Sequence, residues 1–263
     1  MGPSSQTFGL SVGASQAQLT NGTSISGYDV GVLSSGLVVI DGSSVSGNRL
    51  GFTTGFSFNT SVMSGLVLVN ASIHDNRGDG ISTQTPLKVD SWGSQISNNG
   101  GSGIHLSQSA TVTLVGTSLT GNAADGLTTE PIAYLTYALK MRSSHVSDNG
   151  LFGLDLRVTT YMAPADLGFG DDGNNVFQNN GRSPVPDAAD AGDGTGANVF
   201  VVGGWTANAI GNTWEPNVEN ADGQGRYHAS DASRLSYFTG NMPSGRNFLV
   251  GPGAEIVLAR AGQ

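Results

Sequence analysis

The segment ASIHDNRGDGI (71–81) decides the fold, because close copies of it follow as SQISNNGGSGI (94–104) and TSLTGNAADGL (117–127). Each copy holds an apolar residue, an Asn three positions later, and then a Gly followed by a second apolar residue. The first apolar residues of the three copies are 23 positions apart. A fixed period of roughly 20–50 residues is typical of repeat architectures.

The same pattern extends in both directions from this segment. The apolar anchors are Ile25, Val45, Ile73, Ile96, Leu119, Val146 and Val176. The Asn residues three positions after them are Asn48, Asn76, Asn99, Asn122, Asn149 and Asn179, with Tyr28 in that place in the first unit. The glycines of the pattern are Gly31, Gly51, Gly80, Gly103, Gly126 and Gly153.

A short run of alternating apolar residues precedes each anchor, as with Leu87 and Val89 before Ile96. Alternation of period two is typical of strands, but strands this short cannot bury a face alone. Stacked coils solve the problem, because each strand pairs with its copy one coil away. The sequence therefore predicts an all-β, single-stranded parallel β-helix with coils of about 23 residues and eight or nine turns,.

The Asn and Gly positions have physical reasons. An Asn side chain has two donors and one acceptor with two lone pairs, so stacked Asn residues can bond to each other and to buried turn backbone. We predict that the six Asn residues form a structural ladder. The Gly positions suit either a turn with positive φ or a close approach of two coils. We expect a second inward polar stack at the residues just before the anchors, which are Ser24, Ser44, Ser72 and Ser118.

Composition excludes several classes of function. The chain has 263 residues, a net charge of −9 and two lysines, Lys88 and Lys140, which argues against nucleic-acid binding through phosphate neutralisation,. It has no cysteine, and therefore no disulfide and no thiolate nucleophile or metal ligand,. No apolar run approaches the 18 or so residues of a membrane span. We expect no cofactor and no metal site.

We divide the chain into three parts. Residues 1–7 read as a cloning remnant or a disordered start, residues 8–181 as β-helix coils, and residues 182–263 as terminal coils and a cap. An open end of a solenoid exposes strand edges that must be covered. Five aromatic residues of the tail would supply the cover, although a small separate domain is the alternative: Trp205, Trp214, Tyr227, Tyr237 and Phe238.

The recurring motif h-x-x-N-x-x-x-G-[IL] over residues 8–180 resembles the right-handed parallel β-helix proteins of the pectate-lyase-like superfamily. The segment PADLGFGDDGNNVFQNN (164–180), together with ANAIGNTWEPNVENADGQGRY (207–227), looks like the end of a bacterial β-helix family of unknown function. Many members of that family look like secreted or lipid-anchored surface proteins. The resemblance implies an extracellular or cell-surface location in a bacterium.

Two enzymatic hypotheses follow from carboxylates in register. Asp79 and Asp125 share a column two coils apart with Ser102 between them, and Asp171 lies next to Asp172, as paired acids of a glycosidase would,. Both column positions are Asp-Gly turns, where Asp is expected for local backbone bonding. The further polygalacturonase motifs N-T-D, G-H-G and R-I-K are absent.

The lyase hypothesis uses a second group of residues. Arg157 lies near Asp155, and His105 shares the column of Asp155, so that an outward polar groove could form with Lys140 and Arg142 on a neighbouring strand. The stacked carboxylates that a calcium site needs are missing. The acidic loop DAADAGDG, with Asp187, Asp190 and Asp193, does not have the spacing of a calcium loop and reads as a solvated segment,.

Three coils are longer than the rest, and their extra residues follow the Gly-apolar strand at Thr53–Met63, Thr128–Tyr137 and Val158–Leu167. Insertions on one face are often the binding face of a solenoid. The alternative is that their aromatic rings pack down to seal the loops. The candidate ligand face consists of Phe56, Phe58, Tyr134, Tyr137 and Tyr161.

The interpretation that we favour from the sequence is a non-enzymatic extracellular module, structural, adhesive or surface-binding, in a bacterial envelope protein. Its partners would be a polysaccharide or another surface protein, and it could associate with itself end to end or side by side. The alternative is a carbohydrate-active β-helix, a polysaccharide lyase or glycoside hydrolase, with a shallow groove beside the long coils.

Overall fold

The computed structural model describes residues 6–55, 63–132, 134–157, 164–181, 197–203, 205–215, 226–228, 236–238, 246–250 and 254–258. These residues form short β-strands, turns and no helix. In chain order the strands are β1 (Phe8–Val12), β2 (Gln16–Leu19), β3 (Ser24–Ile25), β4 (Val30–Ser34), β5 (Leu37–Asp41), β6 (Ser44–Ser46), β7 (Leu50–Thr54), β8 (Ser64–Val69), β9 (Ser72–His74), β10 (Ile81–Ser82), β11 (Leu87–Trp92), β12 (Gln95–Ser97), β13 (Ile104–Leu106), β14 (Ala110–Val115), β15 (Ser118–Thr120), β16 (Leu127–Thr129), β17 (Tyr137–Arg142), β18 (His145–Ser147), β19 (Leu154–Arg157), β20 (Ala165–Asp166), β21 (Val176–Gln178), β22 (Ala197–Val202), β23 (Thr206–Asn208), β24 (Thr213–Glu215), β25 (Arg226–His228), β26 (Ser236–Phe238), β27 (Arg246–Val250) and β28 (Glu255–Val257).

The strands form three sheets that run along a rod. The first sheet has the order β1-β4-β7-β10-β13-β16-β19-β22-β27-β26, and the second has β2-β5-β8-β11-β14-β17-β20-β23-β28-β25. The third sheet has eight strands, β24-β21-β18-β15-β12-β9-β6-β3. From β4 to β24, each strand pairs with the strand three before it in the chain. This is the topology of a three-stranded coil repeated along one axis. The predicted all-β parallel solenoid is confirmed.

The core lies inside the coil, where one apolar residue stacks on its copy in the next coil. Ile73, Ile96 and Leu119 pair in register in the third sheet, and each is fully buried. The strands of the second sheet alternate between buried and partly exposed residues, as in β8 and β14. The period of two seen in the sequence is the alternation between the inside and the outside of the coil.

Two of the three corners of each coil contain a residue with positive φ. Between the second and third sheets these residues include Asn21, Gly42, Asn70, Gly93, Gly116, Ser143, Asn174 and Gly211. Between the third and first sheets they are Gly27, Gly47, Asp75, Asn98, Gly121, Asp148 and Asn179. Gly, Asn and Asp adopt this conformation most easily, which explains why the corners are rich in them.

The Asn ladder is confirmed and runs beside the second of these corners. The Oδ1 atom of Asn99 accepts from the Nδ2 of Asn76 at 3.0 Å, and the Nδ2 of Asn99 donates to Oδ1 of Asn122 at 3.0 Å. The same bond joins Asn48 to Asn76 at 3.1 Å and Asn122 to Asn149 at 2.9 Å. All five side chains are buried.

The prediction for the sixth member, Asn179, is wrong by one residue. Val146 pairs with Phe177 rather than with Val176, so the ladder position three residues later is Asn180. Asn149 donates through Nδ2 to Oδ1 of Asn180 at 2.8 Å. Asn179 is half-buried and has a φ of 57°, because it occupies the corner position that Asp148 occupies one coil earlier.

The Gly column is explained by close approach and not by positive φ. A Cβ atom on Gly103 would lie 2.6 Å from the carbonyl oxygen of Gly126 and 2.9 Å from Nδ2 of Asn122. The glycine of one coil therefore leaves room for the ladder Asn of the next. Asn198 takes the place of the glycine opposite Gly153, and its Oδ1 accepts from Asn180 at 2.7 Å.

The expected serine stack is displaced by one residue. Ser24 is exposed, and Ser44, Ser72 and Ser118 are half-buried on the outer face, because neighbours of an inward anchor point outward,. The inward polar stack lies one residue earlier in each coil. Two hydrogen bonds between successive coils show it. The Thr117 amide donates to Oγ of Ser144 at 3.2 Å, and the Ser144 amide donates to Oδ1 of Asn175 at 2.9 Å.

The long insertions share the corner between the first and second sheets, as the common offset predicted. The segments between β7 and β8, β16 and β17, and β19 and β20 all connect these two sheets. In the tail, β22, β23 and β24 extend the three sheets in parallel, whereas β25 and β26 pair antiparallel with β28 and β27. Trp205 and Trp214 are buried. The division of the chain at residue 181 and the role of the tail as a cap stay predictions.

Candidate functional site

The outer face of the first sheet carries a row of polar residues. The strand register places His105 beside Thr128 and Thr128 beside Asp155 on consecutive coils, β13, β16 and β19. Asp155 precedes Arg157 by two residues, so both side chains point outward,. The structure thus brings together three of the five groups that the lyase hypothesis named, at His105, Asp155 and Arg157. The other two, Lys140 and Arg142, lie on β17 of the second sheet and not in this row.

His105 is held between two carboxylates. Its Nδ1 lies 3.1 Å from Oδ2 of Asp79, and its Nε2 lies 3.0 Å from Oε1 of Glu130. The hydrogen bond to Asp79 outweighs desolvation and, with Glu130, raises the pKa of His105 to about 9. The imidazole is therefore protonated at neutral pH, and it joins three successive coils by charge.

Asp155 and Arg157 form an ion pair at the C-terminal end of the row. The Nε of Arg157 donates to both oxygens of Asp155, at 2.8 and 2.9 Å, and Asp155 is 3% exposed. The guanidinium lies 5.2 Å from the centroid of the Phe200 ring, which stacks on Phe152 at 5.1 Å. A small apolar cluster on the outside of the coil therefore shields this ion pair from water.

A cavity of about 280 Å³ opens between these groups, and residues of the row and of the first turn of the 128–136 insertion line it. Asp125 lies at its wall, where Oδ1 accepts the Phe152 amide at 2.9 Å. Its polar lining includes Ser102, His105, Asp125, Thr128, Glu130 and Arg157. We call this surface the sheet-1 groove.

Every carboxylate around the sheet-1 groove has a donor in the structure. Asp79 accepts the Ser102 amide at 2.9 Å besides pairing with His105, and Ser102 also donates through Oγ to Asp125 at 3.5 Å. Asp79 and Asp125 are thus in one column with Ser102 between them, as the sequence indicated. Both carboxylates accept a backbone amide of the next coil, from Ser102 and Phe152, so they join neighbouring coils.

The structure describes two of the five residues of the predicted aromatic ligand face, Tyr134 and Tyr137. Tyr137 is wrong as a surface residue, because it is 3% exposed and its hydroxyl donates to the backbone oxygen of Leu106 at 3.1 Å. Tyr137 lies on the inward face of β17, together with Leu139 and Met141. Tyr134 is 90% exposed in the 128–136 insertion. Phe56, Phe58 and Tyr161 lie outside the described residues.

The other acidic candidates lie away from the sheet-1 groove. Asp171 accepts from Nη2 of Arg142 at 2.6 Å, and the guanidinium lowers the pKa of Asp171. Arg142 also contacts Asp166 at 2.7 Å, so these residues form a charge cluster at the C-terminal ends of β17 and β20. Asp187, Asp190 and Asp193 lie outside the described residues. Within the described ranges, no three His, Asp or Glu side chains converge as ligands for a metal ion.

Sequence reasoning missed the contribution of Glu130 and the apolar outer cluster. Glu130 lies in an insertion, where no column can be assigned from spacing. Phe200 could have been found, because it lies between inward-facing Val199 and Val201 in the run ANVFVV (197–202). An apolar residue on both sides of a strand indicates burial of both faces.

Comparison with known proteins agrees with this fold. A family model described as a right handed beta helix region matches residues 9–213. No curated protein and no solved structure matches the chain. Among the described residues no helical segment could span a lipid bilayer. Because the family model covers more than half of the 263 residues, the chain belongs to the right-handed parallel β-helix family.

Proposed function

We propose that the protein is a non-enzymatic extracellular binding module of a bacterial envelope protein, and that it holds a glycan chain in the sheet-1 groove. The observation that carries the proposal is the groove itself, a cavity of about 280 Å³ with mixed polar and apolar lining beside the 128–136 insertion. Hydroxyl, carboxylate and guanidinium groups converge on it at Thr128, Glu130 and Arg157. Such groups can exchange hydrogen bonds with sugar hydroxyls.

The arrangement suits binding better than cleavage. A glycosidase needs one carboxyl group free to protonate the leaving oxygen and a second to act as nucleophile or base. Here Glu130 is engaged by His105 at 3.0 Å, and Asp155 is engaged by Arg157 at 2.8 Å. A lyase would need a base free to abstract a proton, whereas the guanidinium of Arg157 is held by the buried Asp155.

Charge points to the class of glycan. Four carboxylates surround the groove, at Asp79, Asp125, Glu130 and Asp155, against the two cations His105 and Arg157. The whole chain has a net charge of −9. An anionic chain such as a polyuronate would be repelled, so the proposed ligand is a neutral or amino-sugar polysaccharide.

The test is a binding panel read together with a cleavage assay. Calorimetry with xylohexaose, mannohexaose, chitosan hexamer and a polygalacturonate oligomer should show binding to at least one of the first three and none to the fourth. Glu130→Gln should weaken that binding more than tenfold. Asp148→Asn is the matched control, because it makes the same change of charge at an exposed corner where another coil has Asn98.

Two results of the panel would contradict the proposal. New reducing ends, or absorbance from unsaturated products, would show catalysis. The failure of all four oligomers to bind would remove the groove as a glycan site. Protease sensitivity of the protein on intact bacteria of the source strain tests the extracellular location separately.

One observation favours a second candidate, a carbohydrate-active enzyme. Asp125 and Glu130 line the same cavity from one coil, and a retaining or inverting hydrolase uses two carboxylates across such a gap,. Loss of cleavage in both Asp125→Asn and Glu130→Gln would support this candidate over the binding module.

A further inference from the structure

The outer face of the second sheet carries an apolar stripe centred on a tryptophan. Val69, Trp92 and Val115 occupy the same outward position on β8, β11 and β14, and they pair in register. At about 4.8 Å per strand the stripe is roughly 10 Å long and runs straight across the strands. Trp92 is 42% exposed, whereas the other two tryptophans of the chain, Trp205 and Trp214, are buried. The stripe therefore presents the one exposed indole among the three.

Polar groups lie along both sides of the stripe. Two residues earlier on β11 and β14, the outward positions are Asp90 and the half-buried Thr113. On the other side the chain enters the corner between the second and third sheets, where Asn70 and Gly93 are exposed. This surface is thus apolar along its centre and able to form hydrogen bonds along its edges.

The charged groups of this face compensate one another. Lys88 pairs with Asp90 at 2.7 Å, and Arg142 is held by two carboxylates of its own charge cluster. Asp41 and Lys140, the remaining charged residues of the face, are opposite in sign. Because the face has no excess of positive charge and its ion pairs are already formed, its charge complements an uncharged ligand.

The size of the face argues against a folded protein as the ligand. Five strands by six residues cover about 19 by 20 Å, or roughly 400 Å². A stable protein complex buries about 800 Å² on each partner. The area is instead sufficient for a few sugar rings, which need contact only along the stripe and its edges.

We propose that the stripe is a second glycan site, which binds a neutral polysaccharide with equatorial ring hydroxyls and stacks one pyranose ring on Trp92. Such a ring presents C–H bonds on its two faces and hydroxyls at its rim. It therefore matches an apolar centre with polar edges, and the rigid indole offers a large contact area at a low cost in conformational entropy. The site lies on a different sheet from the sheet-1 groove and does not depend on the function proposed for that groove.

Acrylamide quenching of tryptophan fluorescence in the full chain tests the site, because Trp92 is the tryptophan that the quencher can reach. Cellohexaose, a straight chain of glucose units with equatorial hydroxyls, should protect Trp92 from acrylamide. Maltohexaose has the same units in a chain that curls away from a straight row, and it should not protect. Absence of protection by cellohexaose would overturn the proposal. Protection that appears on raising the protein concentration alone would also overturn it, because a second copy would then cover the face.

Variants assign the binding to the indole. The dissociation constant of cellohexaose is read from NMR shifts of the Val69 and Val115 amides, which report this site alone. Trp92→Ala should weaken binding at least about tenfold, whereas Trp92→Tyr should stay within about threefold of wild type. Phe169→Ala is the matched control, because it removes another exposed aromatic ring in the turn after β20 and should leave the affinity unchanged. An unchanged affinity in Trp92→Ala would overturn the proposal.

Glu130→Gln separates this site from the sheet-1 groove. The variant should leave the protection of Trp92 by cellohexaose unchanged even where it abolishes binding in the groove. If no oligomer binds in the groove but Trp92 is still protected, the function proposed for the groove fails and the second site stands. Loss of protection in Glu130→Gln would place the ligand in the groove and overturn the second site.

Discussion

Replacing Asn99 by Ala tests the internal ladder at its centre. The side chain accepts at Oδ1 from the Asn76 amide at 3.2 Å and from Nδ2 of Asn76 at 3.0 Å, and it donates through Nδ2 to the Ile73 carbonyl at 3.2 Å. Its removal leaves two buried backbone groups without these partners, the Asn76 amide and the Ile73 carbonyl. At about 1–3 kcal/mol for each unpaired buried group, partly relieved by local relaxation, we expect a loss of roughly 2–4 kcal/mol.

The measurement is urea unfolding of Asn99→Ala and wild type, followed by circular dichroism and by tryptophan fluorescence. Coincident transitions are needed, because a stacked solenoid can unfold in parts. Asn98→Gly is the matched control: Asn98 is exposed with a φ of 53°, and other coils have Gly47 and Gly121 in its place. We expect its effect to stay within about 0.5 kcal/mol.

Hydrogen exchange locates the damage within the Asn99→Ala variant. The Asn76 amide should exchange faster than in the wild type, because its acceptor is gone. If the variant unfolds within about 0.5 kcal/mol of wild type, with the Asn76 amide still protected, the ladder does not contribute as described.

Three further changes test separate parts of the fold. Gly103→Ala should destabilise the protein by about 1–3 kcal/mol in urea unfolding, because its Cβ would lie 2.6 Å from a carbonyl oxygen,. Gly13→Ala is the control and should be neutral, since no atom lies within 4 Å of its Cβ position. Equal effects would contradict the close-approach explanation. Asn180→Ala should lower the free energy of unfolding by at least about 2 kcal/mol, and Asn179→Gly by less than about 1 kcal/mol. The reverse order would show that Asn179 is the ladder residue, as the sequence spacing predicted. The pKa of His105 is raised to about 9, so its ion pairs stabilise the fold fully below about pH 6.5 and lose that effect as the pH rises through 9,. The stability difference between wild type and His105→Gln should therefore shrink by about 1–2 kcal/mol from pH 6 to pH 9.5, a value discounted for the exposed third of the ring, and a constant difference would contradict it.

The spacing of residues was sufficient to predict the coil and most of the ladder. A side chain at a fixed offset from an inward anchor meets its own copy in each coil, so Asn76, Asn99 and Asn122 could be placed from sequence alone. The three-residue spacing from anchor to Asn gave the wrong ladder residue at VFQNN (176–180). There two adjacent apolar residues precede two adjacent Asn residues, with Gln178 between the pairs. Either register satisfies the pattern there, and only the pairing of Val146 with Phe177 decides between them.

The sheet-1 groove could be predicted in part. The column of His105 and Asp155 follows from the period, and so does the outward direction of Arg157. Glu130 could not be placed, because it lies in an insertion whose path is set by packing and not by the repeat. Tyr137 could have been assigned correctly, since it alternates with the buried Leu139 of the same strand.

Apolar residues on both faces of the second sheet also left a signal that spacing alone did not use. The runs GLVVI (36–40) and GLVLV (65–69) are apolar at successive positions, whereas a solvated face would alternate with polar residues,. These runs mark the outer face of the second sheet that carries Trp92.

We propose that the sheet-1 groove binds a glycan without cleaving it. The most direct measurement is an NMR titration of the ¹⁵N-labelled protein with the oligomer selected by calorimetry, followed by mass spectrometry of the recovered oligomer. We predict shifts confined to the amides of Ser102, His105 and residues 125–130, and an oligomer of unchanged mass. Shifts centred on another face, or a shortened oligomer, would contradict the claim.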